Sequence, residues 1–180
     1  AMKTLLPRSW VYPAGSGTLG CALPDAIGAK LALPQIQVLA LVGDGGFMFT
    51  VNELATAVEE SLSIPVIIWH NHSYAMIRDG MIKRGIPTIG VNPVAPDFVK
   101  LAEAYGGHGI RCEKPGDLDA AIKEMIDVRK PVIFDCRVAN LANCFPMIPS
   151  GKAHNEMLLP DEATDEAVAN AISAEGKALV

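Results

Sequence analysis

The sequence predicts an α/β domain in three layers, with a mostly parallel sheet covered by helices on both faces. Two observations carry that reading. Apolar runs of strand length alternate with segments of helical period, in the order β-α-β-α. The strongest runs, 65–70 and 131–137, are rich in β-branched residues and almost uninterrupted, as strands buried on both faces must be. The 180 residues fit one domain, and at 50% hydrophobic and 19% charged they supply enough apolar mass to bury a core.

Taken in order, residues 18–33 read as a helix despite Pro24, because their small residues allow close packing. Residues 37–42 form a short buried strand, and 52–62 the helix after it. Residues 65–70, Pro-Val-Ile-Ile-Trp-His, make the second strand, and 73–84 a helix entered from a loop. Residues 97–105 begin with a helix-start Asp and continue with apolar positions at helical spacing. Residues 109–112 are a short strand, 115–128 a helix and 131–137 a third strong strand. Beyond Val138 the alternation stops. Residues 143–159 read as an extended tail and 161–177 as a last helix. The chain thus divides into a body, 1–140, and a tail with a final helix, 141–180. About four strands are visible where a sheet of this class usually has five or six, so a first strand and helix are expected upstream of Pro7.

Composition excludes several functions. The net charge of −5 leaves no polybasic face for nucleic acid or anionic lipid. The apolar runs are short and broken by Gly, Pro or charge, so none predicts a transmembrane span. Cys21, Cys112, Cys136 and Cys144 form no C-x-x-C pair, which disfavours a zinc or redox motif and suits reduced thiols in a cytoplasmic protein.

The chemistry gathers at the carboxyl ends of strands, where open parallel sheets bind ligands. Gly43-Asp44-Gly45-Gly46 follows the strand that ends at Val42. Glycines let the backbone approach a ligand closely, and free N–H groups at a helix start suit a diphosphate. Asp44 offers a hard carboxylate oxygen to a divalent cation. Alone, Gly-Asp-Gly is more often an ordinary turn. Asn71, 27 positions on, ends the next strong strand, and one helix separates the two. Parallel neighbours joined this way bring their carboxyl ends together. Asn71 could equally cap the helix that follows.

This spacing resembles the motif of thiamine-diphosphate (ThDP) enzymes. The resemblance implies a three-layer ThDP-binding fold, with Mg²⁺ held by Asp44, Asn71 and the Ser73 carbonyl. The backbone around Gly43, Gly45, Gly46, Tyr74, Ala75 and Met76 would cradle the diphosphate. That motif usually ends in two asparagines, and His70 stands at the first. Upstream, Gly15-Ser16-Gly17-Thr18-Leu19-Gly20 matches the family segment that meets the cofactor rings. Leu19 would wedge between the rings, and the Gly17 carbonyl would accept a hydrogen bond from the exocyclic amine, so both help activate the cofactor. Thr18 lies between them.

Residues 43–58, 97–102 and 145–151 are similar to acetolactate synthase, and Glu156-Met157 complete its C-terminal pattern. That resemblance implies decarboxylation of a 2-oxo acid and carboligation to a second one. It implies a catalytic glutamate on a separate pyrimidine-binding domain, from the full-length chain or a partner subunit, and a homodimer or homotetramer. The isolated chain is then expected to be inactive. There are departures. Gly80 replaces the Trp that helps select the acceptor, leaving room for a larger substrate. Ile77 stands where simple decarboxylases carry a Glu. Residues 74–91 also resemble decarboxylases of longer or charged 2-oxo acids such as 5-guanidino-2-oxopentanoate. The alternatives are therefore a non-ligating decarboxylase, or a binding fragment or subunit of a split enzyme. His72 is a candidate acid–base group ahead of His108, Arg78 is either a carboxylate partner or a surface residue, and Met48 and Phe49 are expected in the core.

Overall fold

Four parallel strands in the order β1-β2-β4-β3 form the sheet of the computed structural model, which describes residues 7–140 together with 153 and 155. The strands are β1 (Ala40–Gly43), β2 (Pro65–His70), β3 (His108–Cys112) and β4 (Val132–Arg137). β2 and β4 are central, with Ile68 level with Asp135 and His70 level with Arg137. Their inward side chains, Val66, Ile68, Val132, Ile133 and Phe134, are buried, as the near-continuous apolar runs predict. The tail and final helix expected over 143–177 lie outside the described residues, Ala153 and Asn155 aside.

The helices are α1 (Ala22–Ala32), α2 (Asp44–Met48), α3 (Glu53–Glu59), α4 (Ala75–Lys83), α5 (Phe98–Tyr105) and α6 (Leu118–Asp127). Leu23, Ala26 and Ile27 of α1, Leu54 and Ala57 of α3, and Phe98 and Ala102 of α5 share one core cluster. Ala121 and Met125 of α6 join Ile110, Val132 and Phe134 in a second. The two clusters lie between sheet and helices, giving the three-layer α/β/α arrangement the sequence predicts.

Local signals explain most boundaries. Asp97 caps α5, its Oδ1 accepting from the N–H groups of Val99 (3.1 Å) and Lys100 (3.3 Å). Gly106, at φ 89°, ends α5 in the left-handed conformation. α5 sits directly on β3: a Cβ on Gly109 would lie 2.6 Å from Val99 Cα. Pro115 opens a 3₁₀ turn over Pro115–Asp117 that feeds α6.

Two expectations need correction. α1 begins at Ala22 rather than Thr18, because residues 17–20 turn twice through positive φ, at Gly17 and Gly20. The helix start expected after β1 falls at Asp44 itself, the first residue of α2. Met48 and Phe49 are not core residues, being 40% and 60% exposed, and Phe47 is the buried member of that helix. No helix among the described residues is long and apolar enough to cross a membrane.

Candidate functional site

The ends of β1 and β2 meet at Asp44. This carboxylate is 4% exposed. Its Oδ1 accepts from the N–H of Gly45 at 2.9 Å, and its Oδ2 from the N–H of His72 at 2.8 Å. His70 Nε2 is 3.7 Å from Oδ2, beyond hydrogen-bond reach. No Lys or Arg lies within salt-bridge distance of Asp44 among the described residues. A buried carboxylate served only by two backbone N–H groups is costly unless a cation completes it. The donor set on offer around it, a carboxylate, an amide and carbonyls, is the hard-oxygen kind that Mg²⁺ or Ca²⁺ takes. Among the described residues no group of three His, Cys, Asp or Glu is placed to hold a metal.

Residues 71–74 form the loop facing Asp44. Asn71 Oδ1 accepts the Ser73 N–H at 3.0 Å, closing a turn on its own loop and leaving one lone pair of that oxygen. Ser73 is buried, and its Oγ donates to the Val91 carbonyl (3.1 Å), as does the Tyr74 N–H (2.8 Å). The Tyr74 ring lies against Gly45. Ala75 and Met76 open α4, with Met76 exposed. On the other side Leu19, 56% exposed, approaches Gly46: a Cβ on Gly46 would lie 3.8 Å from Leu19 Cδ2. Gly43 caps α2. Thr50 Oγ1 donates to the Gly20 carbonyl at 2.6 Å, docking the upstream loop on the segment after α2. Ser16 and Thr18 pair their hydroxyls at 2.6 Å, and the Gly17 N–H donates to the Pro13 carbonyl. Three separate stretches predicted from sequence, 17–20, 43–46 and 71–76, therefore share one corner of the sheet.

Behind them lies a polar cluster that sequence reasoning missed. Asp135 is fully buried in β4. Its Oδ1 is 2.6 Å from His70 Nδ1, while its Oδ2 accepts from Arg111 Nε at 2.9 Å and lies 3.2 Å from Arg137 Nη2. Burial pushes the Asp135 pKa up, but the hydrogen bonds from His70 and Arg111 and the charge of Arg137 outweigh it, and the carboxyl stays below its ordinary range. Burial, with Arg137 nearby, lowers the pKa of His72. Arg78 is a buried residue rather than a surface one. Its guanidinium holds Asn140 Oδ1 and, at 2.9 Å, the Asn140 carbonyl. Asn140 Nδ2 in turn donates to the Asn71 carbonyl at 2.5 Å. His108 is on the surface, 2.7 Å from Glu124. The signal for the buried cluster was present: an Asp inside Val132-Ile133-Phe134-Asp135 and a His ending an apolar strand both demand partners.

A groove of about 410 Å³ runs along α4, lined by Met76, Ile77, Gly80, Met81, Arg84 and Ile86. A Cβ on Gly80 would meet nothing within 4 Å.

Comparison with known proteins identifies the family. The family model of the thiamine pyrophosphate enzyme C-terminal TPP-binding domain matches residues 1–136. A probable 2-ketoarginine decarboxylase of Pseudomonas aeruginosa is 47% identical over 126 residues, 69% of this chain and 22% of the relative. The acetolactate synthase large subunit of Haemophilus influenzae is 34% identical over 164 residues, 88% of this chain and 29% of the relative. A solved ThDP-dependent 4-hydroxybenzoylformate decarboxylase of Rhodococcus jostii RHA1 superposes with a TM-score of 0.64 at 34% identity, covering 68% of this chain and 24% of that one. The chain thus spans roughly a quarter of the length of these relatives. With the family match covering most of the chain and the Gly45, Asp44 and Asn71 loops meeting at the sheet's end, the chain belongs to the thiamine pyrophosphate enzymes, as their C-terminal TPP-binding domain.

Proposed function

We propose that this chain holds the diphosphate and metal of ThDP in an enzyme that decarboxylates a 2-oxo acid larger than pyruvate. The observation that carries this reading is the open groove on α4. It begins at Met76, one turn from the loop that faces Asp44, and the absence of a side chain at Gly80 leaves it unobstructed. The similarity to a probable 2-ketoarginine decarboxylase supports the same choice.

ThDP, when bound, supplies the electron sink for the pair released as carbon dioxide leaves. The residues of this chain would do the rest. Asp44, the Asn71 amide and the Ser73 carbonyl would hold Mg²⁺. The backbone at Gly43, Gly45 and Gly46 and at 74–76 would meet the diphosphate. Leu19 would shape the bound cofactor and the Gly17 carbonyl would orient its amine. Met76, Ile77 and Met81 would exclude water from the substrate chain. A catalytic glutamate would come from a pyrimidine-binding domain, in a homodimer or homotetramer.

A second reading, carboligation of the acetolactate synthase type, rests on similarity to those synthases over most of the chain and on the apolar Ile77. One assay separates the two. The complete enzyme with ThDP and Mg²⁺ is given pyruvate or 5-guanidino-2-oxopentanoate, and carbon dioxide, aldehyde and acetolactate are scored. Carbon dioxide and aldehyde from the longer acid support the first reading; acetolactate from pyruvate as the main product overturns it in favour of the second.

A further inference from the structure

Four polar side chains behind the Asp44 loop close a ring of hydrogen bonds, and its protons can be assigned one by one. Arg137 carries donors only. Its Nη1 lies 2.5 Å from His72 Nε2, so that nitrogen accepts. The His72 proton therefore sits on Nδ1, 3.1 Å from His70 Nε2, which accepts in turn. The His70 proton then sits on Nδ1 and is donated to Asp135 Oδ1 over 2.6 Å. Asp135 Oδ2 closes the ring through Arg137 Nη2 at 3.2 Å. Each imidazole is thereby held in one tautomer. The remaining charged groups that face the ring are Arg111, bound to Asp135, and Asp44, 3.7 Å from His70.

The ring reaches the cation site through the backbone. His72 adopts φ 58°, a left-handed conformation that a non-glycine residue keeps only under outside restraint. In that conformation its N–H points at Asp44 Oδ2. Arg137 and His70 grip the imidazole from its two nitrogens and supply the restraint. We infer that His72, His70, Asp135 and Arg137 are positioning residues that preset the 70–73 loop and aim the Asp44 carboxylate at a divalent cation. The inference rests on the proposed cation site at Asp44. Their arrangement matches the general pattern in which outer hydrogen-bond partners orient a metal's ligands.

Mn²⁺ serves as the probe, bound to the complete protein with excess ThDP and followed by the paramagnetic resonance signal of the free ion. His72→Asn is the informative variant, because Asn tolerates the left-handed backbone but cannot span Arg137 and His70. His72→Asn and Arg137→Ala should each raise the Mn²⁺ Kd by about tenfold or more, the size seen for outer-sphere partners. The double variant should lose no more than the worse single, since both break the same ring. The melting temperature of the cofactor-free proteins is read alongside. Mn²⁺ affinity at wild-type level in His72→Asn overturns the inference, as do additive losses in the double variant. Should Arg137→Ala fail to fold, His72→Asn decides alone. Asp44→Asn separates the two layers of argument. If it abolishes Mn²⁺ binding while the ring variants keep it, only the positioning inference falls. If it binds Mn²⁺ like wild type, the site itself falls and the inference with it.

Discussion

The ring of Tyr74 lies against Gly45, so closely that a methyl group on Gly45 would sit 2.2 Å from Tyr74 Cε1. This contact ties the start of α4 to the first turn of α2, the two backbones proposed to flank the diphosphate. Gly45→Ala must therefore push Tyr74 aside and part the two segments. The expected result is a loss of about 1–3 kcal/mol in stability, the usual cost of overpacking. Half-saturation by ThDP, followed through tryptophan fluorescence, should move to higher concentration. Unchanged stability and affinity would mean that the Tyr74 ring swings out freely and positions nothing.

Asp44 is a buried carboxylate without a cationic partner among the described residues. Asp44→Asn should leave the cofactor-free protein as stable as wild type or more so, because an uncompensated buried charge is removed. Wild type should gain thermal stability on adding Mg²⁺ with ThDP, by the linkage between binding and folding. The variant should lose that gain. Differential scanning calorimetry with and without the cation reads both quantities, and a full Mg²⁺-dependent shift in the variant would refute the assignment.

Asp135 sets an acid limit. Its folded pKa is held below the ordinary value, chiefly by His70 and Arg111 against the opposing effect of burial. The unfolded chain then binds the proton more readily, so the contribution is complete above about pH 4 and is lost as pH falls through the lower folded value. His72, whose pKa is also lowered, loses stability in the same direction but from about pH 6.5 downward. Urea unfolding across this range should therefore show a wild-type decline in two stages. Asp135→Asn should keep the upper stage, lose the lower one, and be less stable throughout the neutral range, by about 3–5 kcal/mol for a broken buried network. A variant with the same acid profile as wild type would show that Asp135 does not titrate on unfolding.

Gly80 is the point at which the α4 groove stays open. Gly80→Trp should fill it. KM for a long 2-oxo acid should rise by about tenfold or more, equivalent to the ~1.4 kcal/mol that one displaced side-chain contact readily costs. KM for pyruvate should change little. Equal effects on both substrates would show that the groove does not hold the substrate chain.

Much of this architecture could be read from local pattern. β2 runs over Pro65–His70 as predicted, because five consecutive apolar residues bounded by a loop admit little else. Asp97 announced α5 through its own capping bonds. The corner of the sheet was also legible, since Asp44 and Asn71 directly follow strands that must be parallel neighbours. Elements that depend on tertiary contact were not. α2 is five residues long and contains two glycines, so no propensity argument finds it. Phe49 is exposed, which the periodicity of 43–49 does not encode. The ring of His70, His72, Asp135 and Arg137 joins residues about 65 positions apart across β2 and β4. Only the lone Asp in one apolar strand and the His ending another hinted at it.

The strand order has a consequence for how the chain is born. β2 lies beside β4, yet β3 and the helices α4, α5 and α6 come between them in sequence. During synthesis Val66, Ile67 and Ile68 leave the ribosome long before their inner partner does, with one edge of an apolar strand open. Contacts of such sequence separation form slowly, and the open edge invites pairing with other chains. His70 and Asp135 share that delay, so the loop that faces Asp44 settles only when β4 is in place. Until residue 137 has emerged, the apolar edge of β2 beside β4 stays unpaired, and such unpaired strand edges are where aggregation starts.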